Sequence, residues 1–538
     1  MKSNTATPQR ALPDIVHMAS CAAEKHWQRS LDSGARELRA YAGLFERTPA
    51  VLLVTFTLTY CIGAIGSACH NKLWLDEIIA AYIITLPSLH DIWTALLHTV
   101  DGNPPLYYLM ARLFLLTGDV PLATRLPAVI GFYLAAICLF YFMRSMTCTL
   151  AAAAATLLFA ESGAFHWAVE GRPYGPMLGL TGLALVTWQR SAYTARSRLA
   201  WLCGLSLAIA CLVSTHYYGA LIVIVLVFAE VVRVIINKRL DWPVYLAMAL
   251  GSAAIVLWTP LIHALRKNVG GNAASVNYFG QPGWEQVRAV YDLFVSPVLV
   301  LLLLCLSVVA LSLSRGWDSV GVVQEKSGAD NTAVILGLVF LPVLAHIMAV
   351  LATHTYVVRY VLGGALGIAM LFGLMLHRVV GRRPAVLVLV LLILYCHWTF
   401  GMLPRAFTKD HSYEGTLSFL AGTDSNRPLI VTEGLFYVPL RYYSPPDLQR
   451  RLFYLTDLPA AQHTTDATNE NIMLALKPWA PEQIVDLNEF LARHSTFLLY
   501  FVGFSGNSSL DALQNRGCHV RLTKKRGPEL LFLCDCKE

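Results

Sequence analysis

The sequence predicts a polytopic α-helical membrane protein with a small α/β domain at its C-terminal end. Of its 538 residues, 56% are hydrophobic and 14% are charged, whereas an average soluble domain carries about 25% charged residues. Because so few charges cannot cover the surface of several soluble domains, most of the chain must face lipid or other apolar segments. The composition therefore excludes a disordered chain, a basic nucleic-acid-binding protein and an ordinary cytosolic enzyme.

Long apolar segments predict the membrane spans. A spanning helix needs about 20 mainly apolar residues, and about eleven segments meet that length or come close to it. All of them lie before residue 404, so a helical bundle is expected up to that point. The segments are 50–68, 124–143, 149–166, 174–189, 199–215, 218–236, 244–264, 290–313, 332–352, 361–376 and 385–403.

The placement of Lys and Arg predicts the direction of the spans. With the N-terminal tail inside, the inner segments collect most cations, as the positive-inside rule requires. These are seven in the tail from Lys2 to Arg47, then Arg144, Arg190, Arg196, Arg198, Arg233, Lys238, Arg239, Arg315, Lys326, Arg378, Arg382 and Arg383. The opposite face keeps Lys72, Arg112, Arg172, Arg266, Lys267 and Arg359. An odd number of spans then places the C-terminal end outside the cell inner (plasma) membrane, which in a bacterium is the periplasm.

These boundaries divide the chain into three parts. Residues 1–48 are predicted to form a cytoplasmic tail, 49–403 the transmembrane module and 404–538 an extracytoplasmic α/β domain. In the last part, apolar runs predict a helix at 480–494 and strands at 428–432, 453–455, 496–502 and 529–534. Cys518 and Cys534 flank strand-like runs, so a hairpin disulfide and free thiols are both compatible with the sequence.

The long first outer loop, 69–123, carries two further helical patterns. In Asp91–Asp101 the apolar residues recur on one face, which predicts an amphipathic helix on the outer leaflet. After Pro104 and Pro105, Leu106–Leu116 is apolar almost all round and predicts a second helix against the bundle. A plain extracellular loop is the alternative interpretation.

Ionisable and aromatic residues gather at the ends of the predicted outer loops, where in a membrane protein they often mark a functional site. Asp76 and Glu77 follow Trp74 in the first loop, although carboxylates there would also stabilise the positive end of a following helix. Together the clusters predict an outward-facing polar cavity with carboxylates, cations and aromatic walls. The others are Lys72, Asn103 before Pro104 and Pro105, Glu170, Arg172 and Tyr174, His216 and Tyr217, Arg266 and Lys267, and Arg359 with Tyr360.

This set of residues suits the transfer of a group from a lipid phosphate. A carboxylate can deprotonate an acceptor hydroxyl or amine, and fixed cations can neutralise a phosphate leaving group. A phosphate carried by a membrane lipid would reach these cations from the outer leaflet.

The order of the motifs resembles the GT-C glycosyltransferases, in particular the bacterial branch related to protein O-mannosyltransferases and the lipid A aminoarabinose transferase. The resemblance covers about residues 50–403. It implies a GT-C membrane fold and a sugar transferred from a polyprenyl-phosphate carrier to an extracytoplasmic acceptor, with inversion at the anomeric carbon. The motifs are Trp-x-Asp-Glu at 74–77, Asn-Pro-Pro-Leu-Tyr-Tyr at 103–108, Arg-Leu-Pro-Ala at 125–128, Glu-x-Arg-x-Tyr at 170–174 and Arg-Tyr at 359–360.

The resemblance also implies roles for single residues. Asp76 is the candidate general base, Glu77 would orient it or position the acceptor, and Glu170 is a second active-site carboxylate. Arg172 is implied to pair with Glu170 or to contact phosphate. Candidates for the lipid phosphate are Arg359, Arg266, Lys267 and Lys72, and further substrate contacts are Asn103, Tyr174, His216, Tyr217, His354 and Tyr360. Some members of the class use a divalent metal and others do not; Asp76 and Glu170 with a His could bind one, and the sequence leaves this open.

Two other functions are compatible with the composition. A transporter or flippase of lipid-linked saccharides would share the cationic outer cavity, but it should place polar groups near the bilayer midplane, often in repeated halves, and the sequence shows no such repeat. A membrane-anchored binding protein does not account for ordered motifs in five outer loops. The sequence identifies neither the sugar nor the acceptor, which is a cell-envelope glycan, a lipid or a protein, and nothing in it indicates a nucleic-acid partner.

Overall fold

A computed structural model describes residues 33–34, 36–193, 197–272, 280–314, 328–424, 426–458, 468–502 and 508–536. Most of the predicted N-terminal tail lies outside these ranges, as do the inner cations Arg196, Arg315 and Lys326. The described residues form a helical bundle followed by a domain with a six-stranded sheet.

The helices of the bundle follow the apolar segments of the sequence. In chain order they are α1 (36–47), α2 (Pro49–His70), α3 (Leu75–Thr85), α4 (Leu89–Leu97), α5 (Leu106–Leu113), α6 (Val120–Arg144), α7 (Thr149–Glu161), α8 (Tyr174–Tyr193), α9 (Arg198–Thr215), α10 (Gly219–Asn237), α11 (Trp242–Ser252), α12 (Thr259–Asn272), α13 (Trp284–Val295), α14 (Leu299–Ser314), α15 (Ala329–Val339), α16 (Leu341–Met348), α17 (Gly363–Val380) and α18 (Pro384–Phe407). Short 3₁₀ helices lie at Phe114–Thr117, Gly163–Ala168, Ala253–Trp258, Ser296–Val298 and Val358–Val361, and a π-helix lies at Ala349–Thr353.

The bundle is that of a polytopic membrane protein. Within the described ranges, eight helical segments are long and apolar enough to cross a membrane, and a ninth results if α15 and α16 with its π-helical end count as one broken span. The two halves of that pair are bent by 57°. The bend lies where Pro342, in the first turn of α16, removes a backbone donor. All eleven predicted segments are helical, but the count of about eleven spans exceeds the eight or nine found.

The difference comes from α7 and α8. α7 has 13 residues, which is about 20 Å of helix against a hydrocarbon core of about 30 Å. α8 has 20 residues but is less apolar, with Gln189 and Arg190 near its end. Both helices are enclosed by others, and nearly every position of α7 is buried. They therefore do not need the apolar surface of a lipid-facing span.

The close approach of α6 and α8 fixes one end of the bundle. A Cβ on Gly131 of α6 would lie 2.4 Å from the carbonyl carbon of Gly175 on α8, so the two backbones touch and only glycine fits at this crossing. Arg125 lies less than two turns away on α6, and Arg172 lies just before α8. The crossing therefore sets the distance between the segments that carry these two arginines.

The first outer loop folds into α3, α4 and α5. The predicted amphipathic helix is α4, and the Ser88 side chain caps it by accepting the backbone N–H of Asp91. Its apolar residues Ile92, Ala95 and Leu96 are buried in a core shared with the C-terminal domain, so this face is covered by protein. The second predicted helix is α5 with the 3₁₀ turn that follows it, while α3 carries the acidic pair.

The C-terminal domain is an α/β structure, as predicted. Its sheet has the order β3-β2-β1-β4-β6-β5; the first four strands are parallel and the last two pair antiparallel. Alternate residues of β1 face two different cores, one of which includes the first outer loop. The elements are α19 (Glu414–Leu420), β1 (Leu429–Val431), α20 (Gly434–Tyr443), α21 (Pro446–Arg451), β2 (Leu452–Thr456), α22 (Thr468–Leu476), β3 (Ile484–Asp486), α23 (Leu487–Leu491), β4 (Thr496–Val502), α24 (Ser508–Asn515), β5 (His519–Arg526) and β6 (Glu529–Asp535).

Two details of this domain differ from the sequence-based expectation. Residues 480–494 do not form one helix, because Asp486 ends strand β3 and its side chain caps the short α23. Cys518 is disulfide-bonded to Cys536 and not to Cys534. The reason is the antiparallel register, in which His519 lies opposite Asp535 and the next pair outward is Cys518 with Cys536.

The C-terminal domain holds the segment that leads into α3. The backbone N–H of Leu73 donates to the Tyr443 hydroxyl over 2.6 Å. On α3 itself, the Tyr82 hydroxyl donates to Glu482 over 2.8 Å, and the Glu482 side chain is fully buried. The loop in front of the acidic pair is thus fixed by the bundle on one side and by this domain on the other.

Candidate active site

Asp76 and Glu77 lie in the first turn of α3, where the positive end of the helix dipole favours carboxylates. Neighbouring residues of a helix point about 100° apart, so the two side chains enter different surroundings. Glu77 is 1% exposed, whereas the Asp76 side chain keeps 18% of its surface accessible. The adjacent carboxylates are therefore chemically distinct.

Glu77 forms a buried two-point ion pair with Arg125 of α6. Arg125 Nε and Nη2 each donate to a Glu77 carboxylate oxygen over 2.7 Å, and both side chains are 2% exposed. Arg125 also donates to the carbonyl oxygens of Ala68, Asn71 and Lys72. The guanidinium thereby ties the end of α2 and the following loop to the start of α3.

The remaining hydrogen bonds of Glu77 come from the backbone. The Trp74 N–H donates to Oε2 over 3.3 Å, which is the helix-capping role foreseen for an acidic residue here, and the Gly171 N–H donates to Oε1. A Cβ on Gly171 would lie 2.6 Å from the Thr124 methyl group and 3.1 Å from Glu77 Oε1. Glycine at 171 therefore lets the Glu170–Arg172 segment approach α3.

Asp76 lies between two arginines. Its Oδ2 is 3.3 Å from Nη1 of Arg359 and 3.9 Å from Nη2 of Arg172, and Arg172 Nη1 also donates to the Asp76 backbone carbonyl over 3.2 Å. Arg359 lies in the 3₁₀ helix before α17 and stands over the Tyr174 ring at 5.7 Å. The site thus combines a partly accessible carboxylate with two guanidinium groups.

Arg172 has Asp101 as its main partner. Arg172 Nη1 donates to Asp101 Oδ2, Arg172 Nη2 donates to Oδ1 over 3.2 Å, and each side chain is 6% exposed. Burial alone would raise the pKa of Asp101, but the Arg172 guanidinium outweighs it, so the pKa lies below its usual value. Asn103 supports this carboxylate, since its amide donates to Oδ1 over 2.7 Å.

Glu170 pairs with a histidine and not with Arg172. His166 Nε2 lies 3.3 Å from Glu170 Oε2, and this hydrogen bond raises the pKa of His166 although burial acts in the opposite direction. Glu170 is buried, and its Oε1 has no hydrogen-bond partner among the described residues. The implied Arg172–Glu170 ion pair is therefore replaced by two separate pairs, Arg172–Asp101 and His166–Glu170.

An aromatic wall lies beside the arginines. The His216 ring is 4.8 Å from Tyr360 and 5.6 Å from Tyr174, and Tyr218 stands 4.8 Å from Tyr360 on the other side. Burial, together with the nearby Arg172 and Arg359, lowers the pKa of His216 to about 3. Because its Nδ1 accepts the Tyr218 N–H over 3.2 Å, the neutral ring carries its proton on Nε2.

The other predicted site residues lie farther from Asp76 or point elsewhere. Lys72 faces the C-terminal domain, with Nζ 3.9 Å from Glu414 and 5.5 Å from the Tyr443 ring. Arg266, Lys267 and His354 are exposed, and Tyr217 is partly buried. The structure thus brings together Asp76, Arg172, Arg359, Tyr174, His216 and Tyr360, with Glu77 and Asn103 behind them.

The residues around Asp76 do not fit a metal centre. No group of three or more His, Cys, Asp or Glu side chains able to hold a metal ion occurs in the described ranges. Asp76 itself is flanked by two guanidinium groups, whose positive charge opposes a bound cation. We therefore derive no step through a metal.

Four residues of this arrangement were not predicted as site residues: Asp101, Arg125, His166 and Tyr218. A usable signal existed for Arg125, because a lone arginine within an apolar span must find a buried carboxylate. Asp101 stands at the end of the predicted amphipathic segment 91–101, and nothing in the sequence marks it as a site residue. His166, at the end of the predicted span 149–166, carried no recognisable pattern.

Comparisons with known proteins extend these observations to the whole fold. No protein-family model matches the chain, and no curated protein matches it. Among solved structures, ArnT from Cupriavidus metallidurans matches with 12% identity over 90% of this chain and 97% of its own, with TM-scores of 0.52 when bound to undecaprenyl phosphate and 0.53 in the apo state. The Archaeoglobus fulgidus oligosaccharyltransferase AglB is a weaker match, with a TM-score of 0.44, 10% identity and coverage of 92% of this chain and 75% of its own. Because the ArnT match spans nearly all of both chains, this protein shares the overall fold of ArnT, in agreement with the membrane fold that its motifs predicted.

Proposed function

We propose that the protein is a membrane glycosyltransferase that moves a sugar from a polyprenyl phosphate to an acceptor, with Asp76 as general base. The observation that carries the proposal is the position of Asp76, a partly accessible carboxylate held 3.3 Å from Arg359 and 3.9 Å from Arg172. The fold adds support, because ArnT, which shares it, has been solved with undecaprenyl phosphate bound.

The reaction uses each charge of this arrangement. Asp76 takes the proton of an acceptor hydroxyl or amine, whose oxygen or nitrogen then bonds to the anomeric carbon of the sugar. The bond between that carbon and the phosphate oxygen breaks, and its electron pair stays on the phosphate. Attack from the face opposite the phosphate inverts the anomeric carbon. Polyprenyl phosphate leaves with one more negative charge than it had as donor, and the proton passes from Asp76 to solvent.

Arginine is suited to the leaving group. A guanidinium remains charged and offers several donors to phosphate oxygens, and Arg359 Nε has no hydrogen-bond partner in the described part of the chain. Arg359 is therefore the proposed phosphate contact. Arg266 and Lys267 are exposed and would attract a donor phosphate without fixing its position.

The remaining site residues orient the substrates. Tyr360, which is partly buried, offers an aromatic face to the sugar, and neutral His216 offers its Nε2–H as a donor. Tyr174 is 1% exposed and supports Arg359, which stands over its ring. Glu77 is assigned a positioning role, since its carboxylate oxygens already accept four donors. Glu170 has one oxygen without a hydrogen-bond partner among the described residues and is assigned to the acceptor.

The proposed location follows from the charge asymmetry of the sequence. It places the site and the C-terminal domain on the periplasmic side of the cell inner membrane. The Cys518–Cys536 disulfide is typical of an oxidising compartment and supports that direction. The acceptor is then an envelope glycan, lipid or protein that faces the same side.

The test is transfer of radiolabel from polyprenyl-phosphate sugars to each fraction of a membrane preparation that contains the full-length protein. Asp76→Asn should lower transfer by about 100-fold or more, the usual contribution of a general base. The matched control is Asp91→Asn, which removes a carboxylate from the first turn of α4 in the same loop and should leave transfer intact.

Three results would contradict the proposal. Substantial transfer by Asp76→Asn would remove the proposed base. Equal losses in Asp76→Asn and Asp91→Asn would indicate a general effect on the loop. Label that crosses the membrane but stays on its polyprenyl carrier would favour the transporter alternative.

A further inference from the structure

The two arginines beside Asp76 are held very differently, and Asp101 is the cause. Asp101, Arg172, Asp76 and Arg359 form a chain of alternating charges. Arg172 meets Asp101 through both terminal nitrogens, with the two side chains each 6% exposed. Arg359 meets Asp76 through one nitrogen at 3.3 Å, and these side chains are 24% and 18% exposed.

A two-point bond between buried charges resists exchange. Two parallel N–H···O bonds fix the plane of a guanidinium as well as its charge, and separating such a pair leaves both ions unpaired in an apolar surrounding. Asp101 is further fixed by the Asn103 amide at 2.7 Å. Arg172 is therefore committed to Asp101, while its Nη1 still reaches the Asp76 carbonyl at 3.2 Å.

Arg359 is free to change partners. Its bond to Asp76 is single and longer, and its side chain is 24% exposed against 6% for Arg172. The Nε of each arginine is without a hydrogen-bond partner in the described ranges, so Arg359 differs by its single contact and its exposure. A phosphate presents more acceptor oxygens than one carboxylate oxygen and can take two guanidinium donors at once. A donor phosphate that arrives at Arg359 would therefore displace Asp76 from it.

We propose that Asp101 is a positioning residue: by holding Arg172 it leaves Arg359 as the arginine that exchanges Asp76 for the donor phosphate. This inference rests on the proposed function. Without the Asp101 charge, Arg172 would turn toward Asp76 and the phosphate. The lipid would then bind at least as tightly as before, but Asp76 would keep a cation and lose strength as a base.

The experiment measures two quantities on the purified full-length protein: binding of undecaprenyl phosphate without sugar, and sugar transfer. Asp101→Asn keeps the shape of the side chain and should reduce transfer by about 10- to 100-fold, the scale of a displaced catalytic geometry. Its affinity for undecaprenyl phosphate should equal or exceed that of the wild type. Asp91→Asn, in the same loop, is the matched control for both measurements.

Two further variants keep the inference testable if Asp101→Asn fails to fold. Arg359→Gln should weaken undecaprenyl phosphate binding about tenfold or more, the size of a lost bond to a charged group. Asp76→Asn should tighten binding, because Arg359 no longer has a competing carboxylate. A merely structural role of Asp101 would lower lipid binding and transfer together.

The outcomes separate the inference from the proposed function. A wild type that neither binds undecaprenyl phosphate nor transfers sugar overturns the proposed function. If the wild type binds the lipid and transfers sugar, two results for Asp101→Asn overturn the role of Asp101. One is a loss of lipid affinity that parallels the loss of transfer, and the other is no loss of either. The same holds if Arg359→Gln binds the lipid as well as the wild type does.

Discussion

Glu77→Gln is predicted to destabilise the protein, although Asp76→Asn, one residue earlier, is predicted to inactivate it. Both changes replace a carboxylate by an amide of nearly the same shape. The surroundings differ: Glu77 is 1% exposed and accepts four donors, whereas the Asp76 side chain is 18% exposed and its nearest cation lies at 3.3 Å. Comparing the two variants tests whether the buried carboxylate of Glu77 stabilises the fold and the accessible carboxylate of Asp76 takes part in the reaction.

The size of the effect follows from the Arg125 guanidinium. Glu77→Gln leaves this cation 2% exposed without its negative partner and turns one acceptor into a donor that faces it. Removing one partner of a buried pair costs about 3–5 kcal/mol. The other bonds of Arg125 go to uncharged carbonyl groups, so they do not replace the lost charge. Breaking a partly exposed pair, as in Asp76→Asn, costs about 1 kcal/mol or less.

The assay compares thermal inactivation half-lives in detergent, because large membrane proteins often unfold irreversibly. If the lost stability lowers the activation free energy of unfolding by the same amount, about 3 kcal/mol shortens the half-life roughly 100-fold. The double variant Glu77→Gln with Arg125→Gln should recover part of the loss, since no uncompensated charge remains. Glu77→Gln with wild-type stability and the same transfer defect as Asp76→Asn would refute the reasoning.

Two further predictions concern a titratable group and the C-terminal domain. The pKa of His216 is lowered to about 3 in the folded protein, so on acidification the unfolded chain binds this proton first; the neutral ring therefore favours the folded state above about pH 6.5, and this contribution is lost as the pH falls toward 3. Between pH 7.5 and 5 the wild type should lose about 2 kcal/mol of folding free energy that His216→Asn does not lose, which thermal denaturation at both pH values would show. Equal losses in both proteins would count against the neutral ring. In protein that is purified without reductant and then denatured, Cys518 and Cys536 should not react with maleimide, whereas Cys534 should. Each of the variants Cys518→Ser and Cys536→Ser should destabilise the domain by about 2–4 kcal/mol. Protection of Cys534 together with reaction at Cys536 would show that Cys518 pairs with Cys534.

The sequence was sufficient to predict the fold class because the signal is redundant. Apolar segments of the required length recur, and the two helices that fall short in length or apolar character, α7 and α8, do not change the class. Order and spacing of the motifs also brought Asp76, Arg172 and Arg359 into one hypothesis. Each of these residues stands at a loop end, and the loops on one side of a bundle meet in space.

The pairing of the charges was not predictable, because it depends on contacts between distant segments. Asp101 and Arg172 are 71 residues apart, and Glu77 and Arg125 are 48 apart. The family resemblance implied that Arg172 pairs with Glu170 or contacts phosphate. That pairing does not form, since Glu170 is engaged by His166 and Gly171 brings the segment against Glu77. Which side chain is buried, and against what, is decided by the packing of α6 on α8.

The pairing also determines the order in which the substrates must arrive. Glu77 balances Arg125, Asp101 balances Arg172 and Asp76 balances Arg359, so each arginine of the resting site is matched by one carboxylate. A donor phosphate adds negative charge to a poorly solvated place, where an uncompensated ion is costly. It must therefore take a cation from one pair, and of these three arginine pairs the Asp76–Arg359 pair is the one that is partly exposed and singly bonded. That exchange frees Asp76 of its nearer cation, Arg359, before the acceptor loses its proton. The acceptor is then activated only where a donor is already bound, and transfer should follow an ordered sequence with the donor first.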